Sequence, residues 1–102
     1  MKNTTCKNCS DAELKMLGDF WTLAIIQALN PEGKRFAQLQ RELNGVNPTT
    51  LTSRLKTLEK QEMIKREEET LDGLSVVYSL TKKGRGILPI LNQIRLFADK
   101  FL

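Results

Sequence analysis

Two cysteines, Cys6 and Cys9, have the Cys-x-x-Cys spacing of redox and metal sites. A zinc site as a rule needs four ligands, and with two thiols and no histidine a metal would have to be shared between subunits. A thioredoxin-like motif requires a βαβ context that the sequence lacks. Cys9 precedes a predicted helix N-terminus, where the helix dipole and Lys7 favour the thiolate. Cys9 and Cys6 are therefore candidate redox-sensor residues; the alternative is two ordinary reduced thiols in a frayed terminus.

The overall composition argues against catalysis and favours a polyanionic partner. The sequence has no histidine, which excludes Ser-His-Asp and Cys-His arrangements. It also lacks a glycine-rich phosphate loop and clustered acids in a pocket-forming context, so we expect no enzyme, no metal and no cofactor. Sixteen Lys and Arg against 12 Asp and Glu give a net charge of +4, which suits nucleic acid.

A second group of polar residues follows Asn47 and has the spacing of a DNA-reading helix. Asn47 is a predicted N-cap and Pro48 occupies the first helical position. One face carries a leucine stripe: Leu51, Leu55 and Leu58. The opposite face carries hydroxyls and cations: Thr49, Ser53, Lys56 and Lys60. Short hydroxyls near the helix N-terminus can reach base edges, and its first turn contains no acid to repel phosphate. The alternative for any such face is simple solvation.

Three helices are predicted ahead of this segment. Ser10 and Glu13 form a capping box for the first helix, which Gly18 ends. Asp19 caps a second helix over Phe20–Leu29, which is apolar nearly all round and should be buried accordingly. After the turn at residues 30–33, a third helix is expected over about 36–43, followed by a tight turn at residues 44–46.

A β-hairpin is predicted after the fourth helix. Its strands are Ile64–Glu69 and Val76–Leu80, around Asp72-Gly73. Four acids surround the tip: Glu67, Glu68, Glu69 and Asp72. We expect this wing to contact DNA weakly, at its base near Lys65, or not at all, because an acidic tip does not enter a minor groove readily.

The last helix is predicted to run from a Thr81 cap to the C-terminus, with Pro89 either kinking it or marking where it begins. A heptad-like seam recurs at spacings of 4, 3, 4 and 3: Ile87, Leu91, Ile94, Ala98 and Phe101. Ile90 and Phe97 form a second stripe. One stripe can pack on its own domain and the other then needs a partner; alternatively, both form one broad face buried within the monomer.

The predicted architecture is mainly α with a small β-hairpin, a winged helix-turn-helix. A chain of 102 residues is expected to form a single domain over 1–102, with about the first eight residues flexible. There is no apolar run of about 18 residues and no signal peptide, so we expect no membrane contact and a location in the cytoplasm.

Several sequence pieces, in order and at nearly constant spacing over residues 9–98, resemble the HxlR-type transcriptional regulators, a branch of the MarR-like winged-helix group. The pieces are Gly18-Asp19-Phe20-Trp21-Thr22, Lys34-Arg35-Phe36 with Leu39, Asn47-Pro48, Leu51-Thr52-Ser53-Arg54-Leu55, Leu58-Glu59, Val76-Val77-Tyr78-Ser79-Leu80-Thr81, Gly84-Arg85 and Leu88-Pro89-Ile90-Leu91. The resemblance implies a prokaryotic homodimer on an inverted repeat, with the fourth helix as recognition helix. It also implies that the N- and C-terminal helices serve dimerisation and form much of the interface. It implies DNA contact by Thr49, Thr50, Ser53 and Arg54, and a response to electrophiles, oxidants or small metabolites in some members.

The chain departs from this family in two places. Many relatives carry Pro and Arg in the wing, where this sequence has residues 71–75, Leu-Asp-Gly-Leu-Ser. Many also have a Cys-Pro pair before the first helix, where Cys9 is here followed by Ser10 and Cys6 is an additional thiol. The wing and the thiols are therefore the features in which this chain can differ from its relatives.

The resulting prediction is a homodimeric, sequence-specific DNA-binding regulator that binds double-stranded DNA and itself, with an effector whose identity the sequence does not reveal. The expected DNA-binding residues are Lys34, Arg35, Asn47, Thr49, Thr50, Ser53, Arg54, Lys56 and Lys65. The expected dimer-interface residues are Leu14, Leu17, Ile87, Leu91, Ile94, Ala98 and Phe101. The alternative is a winged-helix module that binds another protein, through the acidic hairpin, without binding DNA.

Overall fold

The computed structural model describes residues 14–69 and 75–102. Its elements in chain order are α1 (residues 14–17), α2 (Phe20–Ala28), α3 (Phe36–Glu42), α4 (Pro48–Lys60), β1 (Ile64–Glu68), β2 (Val76–Leu80), α5 (Lys82–Arg85) and α6 (Leu88–Phe101). The mainly helical architecture with one antiparallel hairpin agrees with the prediction. The predicted capping box at Ser10 and Glu13, the thiols of Cys6 and Cys9, and the turn at Asp72-Gly73 lie outside the described residues.

Helices α2 and α4 begin where their capping residues predict. The carboxylate of Asp19 accepts a hydrogen bond from the Thr22 N–H at 2.9 Å. The side-chain oxygen of Asn47 accepts from the Thr49 N–H at 2.7 Å, and Pro48 is the first residue of α4. Each cap satisfies a backbone donor that the first turn of a helix leaves without an intrahelical partner.

The turn between α3 and α4 depends on a glycine. Gly45 has φ +96°, in the left-handed region that residues with a Cβ rarely adopt. The chain then continues into Val46, which is buried and whose N–H donates to the Leu43 carbonyl at 2.9 Å. This tight connection fixes the angle at which α4 leaves α3.

One apolar core lies between the helices and the base of the hairpin. It consists of Ile25, Ile26, Leu29, Leu39, Leu43, Val46, Leu51, Leu55, Leu58, Met63, Ile64, Leu80 and Leu91. Helix α2 was expected to be buried nearly all round, but Phe20 is 68% exposed. The reason is its position in the first residue of the helix, where its ring meets Trp21 edge-on at 4.9 Å.

The hairpin pairs β1 with β2 in antiparallel register, from Ile64 opposite Leu80 to Glu68 opposite Val76. On the other edge of β2, Lys34 and Tyr78 exchange two backbone hydrogen bonds, of 2.9 and 2.8 Å. The segment before α3 thus continues the sheet, and the hairpin is anchored to the helical body along β2.

The C-terminal region differs from the prediction at its start. Thr81 does not cap the last helix: its hydroxyl accepts from the Gly84 N–H at 3.0 Å and caps the short α5. The last helix, α6, begins at Leu88 with Pro89 as its second residue, so the proline marks a beginning and not a kink. Gly84 is required because a Cβ there would lie 2.0 Å from the Met63 carbonyl oxygen.

Candidate nucleic-acid interface

Helix α4 presents one buried and one exposed face, as its sequence predicts. Leu51, Leu55 and Leu58 are at most 2% exposed. The opposite side forms a shallow, open surface that we call the α4 face, made of Pro48, Thr49, Thr52, Ser53, Lys56 and Thr57. The leucines fix the rotation of α4 on the body, so the side chains of the α4 face are held outward.

The chemistry of the α4 face is polar and free of acids. Its first turn contains no acidic residue. The Thr57 hydroxyl donates to the Ser53 carbonyl at 3.1 Å, one turn earlier in the same helix. Over residues 14–69 and 75–102, neither Lys56 nor Lys60 forms an ion pair with a carboxylate. Such a surface can offer hydroxyls to base edges and ammonium groups to phosphates.

Arg54 lies on the side of α4 and pairs with Asp19. Its Nε donates to Asp19 Oδ2 at 2.8 Å and its Nη2 donates to Oδ1 at 3.1 Å. The bond to Arg54, together with the bonds from Thr22, lowers the pKa of the Asp19 carboxyl to about 2. The guanidinium, expected to contact DNA, is thus held by an ionised carboxylate of the neighbouring helix.

The remaining predicted cations lie outside the α4 face, and each has a partner. Lys34 donates to the Ala28 carbonyl, lies 3.6 Å from Glu42 and keeps only 15% of its side chain exposed. Arg35 donates to the Glu69 carboxylate. Lys65 lies 3.6 Å from a carboxylate oxygen of Glu67, on the same strand.

In the hairpin, which we call the wing (β1 and β2), the charged side chains that the structure describes lie next to opposite charges. Besides the pair of Lys65 with Glu67, Arg66 lies 3.9 Å from Glu68 on β1. Glu69 accepts from Arg35 and, at 3.1 Å, from the Ser75 hydroxyl, and these bonds lower the pKa of its carboxyl. Of the acids that made the wing a doubtful DNA contact, the three that the structure describes, Glu67, Glu68 and Glu69, therefore each lie beside a cation.

The predicted dimer residues divide into exposed and buried sets. Leu14, Ile94 and Phe101 are exposed, whereas Leu17, Ile87 and Ala98 are half-buried and Leu91 is buried in the core. The exposed apolar residues of α6 that share one face are Ile90, Ile94, Phe97 and Phe101, which we call the α6 stripe. The exposed apolar face of α6 is therefore rotated around the helix axis relative to the expected seam, because the seam members Ile87 and Leu91 pack on their own domain.

The comparison with protein families decides the classification. A model of the HxlR-like helix-turn-helix family matches residues 16–102. The chain belongs to the HxlR-like family. Among curated relatives of this HxlR-like protein, the HTH-type transcriptional regulator YodB of Bacillus subtilis strain 168 is 31% identical over 101 residues, which cover 99% of this chain and 89% of YodB.

Solved structures agree with this assignment. The quinone-bound YodB of B. subtilis superposes with a TM-score of 0.78 at 29% identity, covering 94% of this chain and all of that one. The redox regulator HypR in its reduced form gives a TM-score of 0.79 at 26% identity, with 89% and 90% of the two chains covered. The fold is thus the winged helix of MarR-like proteins, and the HxlR-like chain is a transcriptional regulator of this type.

Sequence reasoning missed two features of the HxlR-like fold. Asp19 was expected only as a helix cap, and Arg54 only as a DNA contact, although they bind each other. A signal existed in the helical geometry: Arg54 lies about 60° from Leu51 around the helix axis, whereas Ser53 lies about 160° away. Phe20 and Leu96 are exposed apolar residues that the sequence pattern did not single out.

None of the helices within the described ranges is long and apolar enough to cross a membrane.

Proposed function

We propose that this HxlR-like chain is a homodimeric, sequence-specific DNA-binding regulator whose α4 enters the major groove of an inverted-repeat operator. The observation that carries the proposal is the α4 face, an exposed, acid-free surface of hydroxyls on a helix anchored by three buried leucines. Its ammonium, that of Lys56, forms no ion pair with any residue that the structure describes. This is the arrangement that recognition helices of helix-turn-helix proteins use.

Different residues of α4 have different roles in this proposal. Thr49 and Ser53 are exposed near its N-terminal end and read base edges. Asn47 and Thr50, at the first turn, lie where backbone N–H groups meet a phosphate. Lys56, one turn further, neutralises a phosphate. Lys34, Arg35 and Lys65 contribute less, because their charges are already paired.

Dimerisation is proposed to occur through the α6 stripe with help from Leu14. Phe97 and Phe101 are 58% and 64% exposed, and their rings lie 5.0 Å apart. An exposed apolar stripe of this kind on a short chain is typical of a protein interface. A two-fold dimer would place two copies of α4 on half-sites about one helical turn, roughly 34 Å, apart.

Selection of duplexes from a random pool, followed by fluorescence anisotropy with the selected operator, tests the DNA-binding proposal. Ser53→Ala should change the preferred sequence, because it removes a group that reads bases. Lys56→Gln should weaken binding to every duplex and lower the slope of log Kd against log salt by about 0.9, one phosphate contact. If no duplex is enriched and no salt-sensitive binding occurs, the proposal fails, and the acidic wing becomes the candidate surface for a protein partner.

Sedimentation at micromolar protein concentration tests the dimer. Phe97→Glu, in the middle of the α6 stripe, should give a monomer. Asn92→Asp adds the same charge at an exposed residue about 140° from Phe97 around the helix, and it should leave the dimer intact. A monomeric mass for the unaltered protein would contradict this part of the proposal.

We further propose that DNA binding responds to oxidants or electrophiles through Cys9. The support is the sequence position of Cys9 before the first helix and the similarity to the structures of quinone-bound YodB and of the redox regulator HypR. Diamide or a quinone should weaken operator binding by the unaltered protein. Cys9→Ser should abolish that response and Cys6→Ser should retain it; an unchanged response in the variant lacking both thiols would refute it.

A further inference from the structure

We propose that Arg54 is a positioning residue of the recognition helix: with Asp19 it locks α4 to the junction of α1 and α2, and it makes no direct contact with DNA. The inference rests on the proposed function, since it concerns how α4 is held for reading DNA. It differs from the expectation that the family resemblance carries, in which Arg54 itself contacts DNA.

The Asp19 carboxylate links the start of α2 to α4. The carboxylate of Asp19 collects four hydrogen bonds: from the Thr22 N–H at 2.9 Å, the Thr22 hydroxyl at 3.0 Å and two guanidinium nitrogens of Arg54. Two of these bonds fix the carboxylate at the start of α2, and the other two reach across to the second turn of α4. A two-pronged arginine–carboxylate contact restrains orientation as well as distance, so it opposes rotation of α4 about its axis.

Asp19 and Arg54 compensate each other's charge. The low pKa of the Asp19 carboxyl keeps it ionised at neutral pH, and its negative charge offsets the positive charge of Arg54 at 2.8 Å. Both side chains are partly enclosed, with 34% and 26% of their surface exposed. A pair with no net charge attracts a phosphate far less than the ammonium of Lys56, which has no such partner among the described residues.

The pair lies at a junction between helices. Asp19 directly follows Gly18, whose N–H closes the end of α1 on the Leu14 carbonyl at 2.7 Å. The carboxylate of Asp19 is therefore fixed at the point where α1 passes into α2. The buried leucines of α4 hold its depth in the core, and the pair adds a polar restraint on the side that faces this junction.

The test measures Kd for the selected operator and for an unrelated duplex of equal length, each over a range of salt concentrations. The variants are Arg54→Gln, Asp19→Asn and both together. Asparagine caps a helix about as well as aspartate, so Asp19→Asn removes the charge while keeping the α2 cap. Arg85→Gln, an exposed arginine of α5, is the matched control for loss of one positive charge.

We expect Arg54→Gln and Asp19→Asn each to reduce the ratio of operator affinity to unrelated-duplex affinity about tenfold. The slope of log Kd against log salt concentration, the salt slope, should stay unchanged in both variants. The double variant should be no worse than the poorer single variant, because both remove the same contact. Thermal unfolding identifies the variants that are still folded at the assay temperature. If Arg54→Gln is unfolded there, the result for Asp19→Asn decides whether Arg54 has a positioning role.

Direct DNA contact by Arg54 would give a different pattern. Arg54→Gln would then lower the salt slope by about 0.9, as one lost phosphate contact does. Asp19→Asn would strengthen binding, because it would release the guanidinium. Either result overturns the positioning role while leaving the proposed function intact. Absence of operator binding by the unaltered protein would instead overturn the proposed function, and the inference with it.

Discussion

The α4 face and the wing both carry cations close to the predicted DNA surface, but they differ in how those cations are partnered. In the wing, Lys65 and Arg66 each lie within 4 Å of a glutamate on the same strand. On α4, Lys56 and Lys60 form no ion pair with the described residues. A count of cations in the sequence treats the two regions as equals, whereas the pairing makes them unequal.

The difference matters because binding to DNA exchanges condensed counterions for protein cations. A cation that is already compensated by a neighbouring carboxylate releases little, and a phosphate brought to it also meets that carboxylate. The α4 face is therefore expected both to read bases and to attract phosphates. The wing is expected to act mainly as a rigid support that is anchored to the helical body along β2.

The largest effect on stability is expected from Gly84→Ala. This change disrupts the contact between α5 and the segment that connects α4 to the wing. A Cβ at residue 84 would lie 2.0 Å from the Met63 carbonyl oxygen, a backbone atom that cannot move without shifting β1. We expect a loss of about 3 kcal/mol in the free energy of unfolding, measured by urea denaturation. Gly86→Ala is the control, since its nearest neighbour, the Lys83 carbonyl oxygen, lies 3.2 Å away. Equal stability of the two variants would contradict the close approach.

The next effect concerns the ion pair that holds α4. Because the pKa of Asp19 is about 2 in the folded protein, below its ordinary value of 3.8, the folded state favours the ionised carboxylate. Its stabilisation is complete above pH 4 and is lost as the pH falls through 4 towards 2. At pH 7, Asp19→Asn should therefore cost about 1 to 2 kcal/mol of unfolding free energy. The deficit should shrink towards zero near pH 2, and a deficit independent of pH would exclude the charge as its cause.

The sequence predicted most of the fold because the decisive signals are local. The caps at Asp19 and Asn47 and the leucine period of α4 each depend on residues within a few positions of one another. The expected burial around α2 was less accurate at Phe20, since periodicity does not tell where a helix meets the edge of the molecule. The cap of the last helix was wrong for a related reason: Thr81 is a good cap, but Gly86 and Pro89 allow the chain to end one helix and begin another. The alternative, that Pro89 marks the start of the last helix, is confirmed.

The candidate site was less predictable because its contacts join distant parts of the chain. Asp19 and Arg54 are 35 residues apart, and Arg35 and Glu69 are 34 apart. The sequence lists these residues as charges but does not reveal that they neutralise each other. Helical geometry already separated Arg54 from Ser53; a single helix wheel, however, cannot supply the partner on α2.

The comparison of the two regions is tested directly by removing one lysine from each. Lys56→Gln should weaken binding to any duplex about tenfold and lower the salt slope by about 0.9, because an uncompensated phosphate contact is lost. Lys65→Gln should leave both quantities nearly unchanged. Anisotropy titrations at several salt concentrations measure both variants side by side. Equal losses in the two variants would mean that the wing engages DNA despite its acids.

The smallest effect is expected when the wing loses an acid instead of a cation. Glu67→Gln removes the carboxylate that lies 3.6 Å from Lys65, and its exposed position means little change in stability. The freed ammonium should strengthen binding to an unrelated duplex about twofold and steepen the salt slope slightly. Asp99→Asn, which removes an exposed acid from α6, away from α4 and the wing, is the matched control for the change in net charge. If both variants gain affinity equally, the gain comes from the overall charge. Local ion pairing in the wing would then not explain why the wing contributes little to DNA binding.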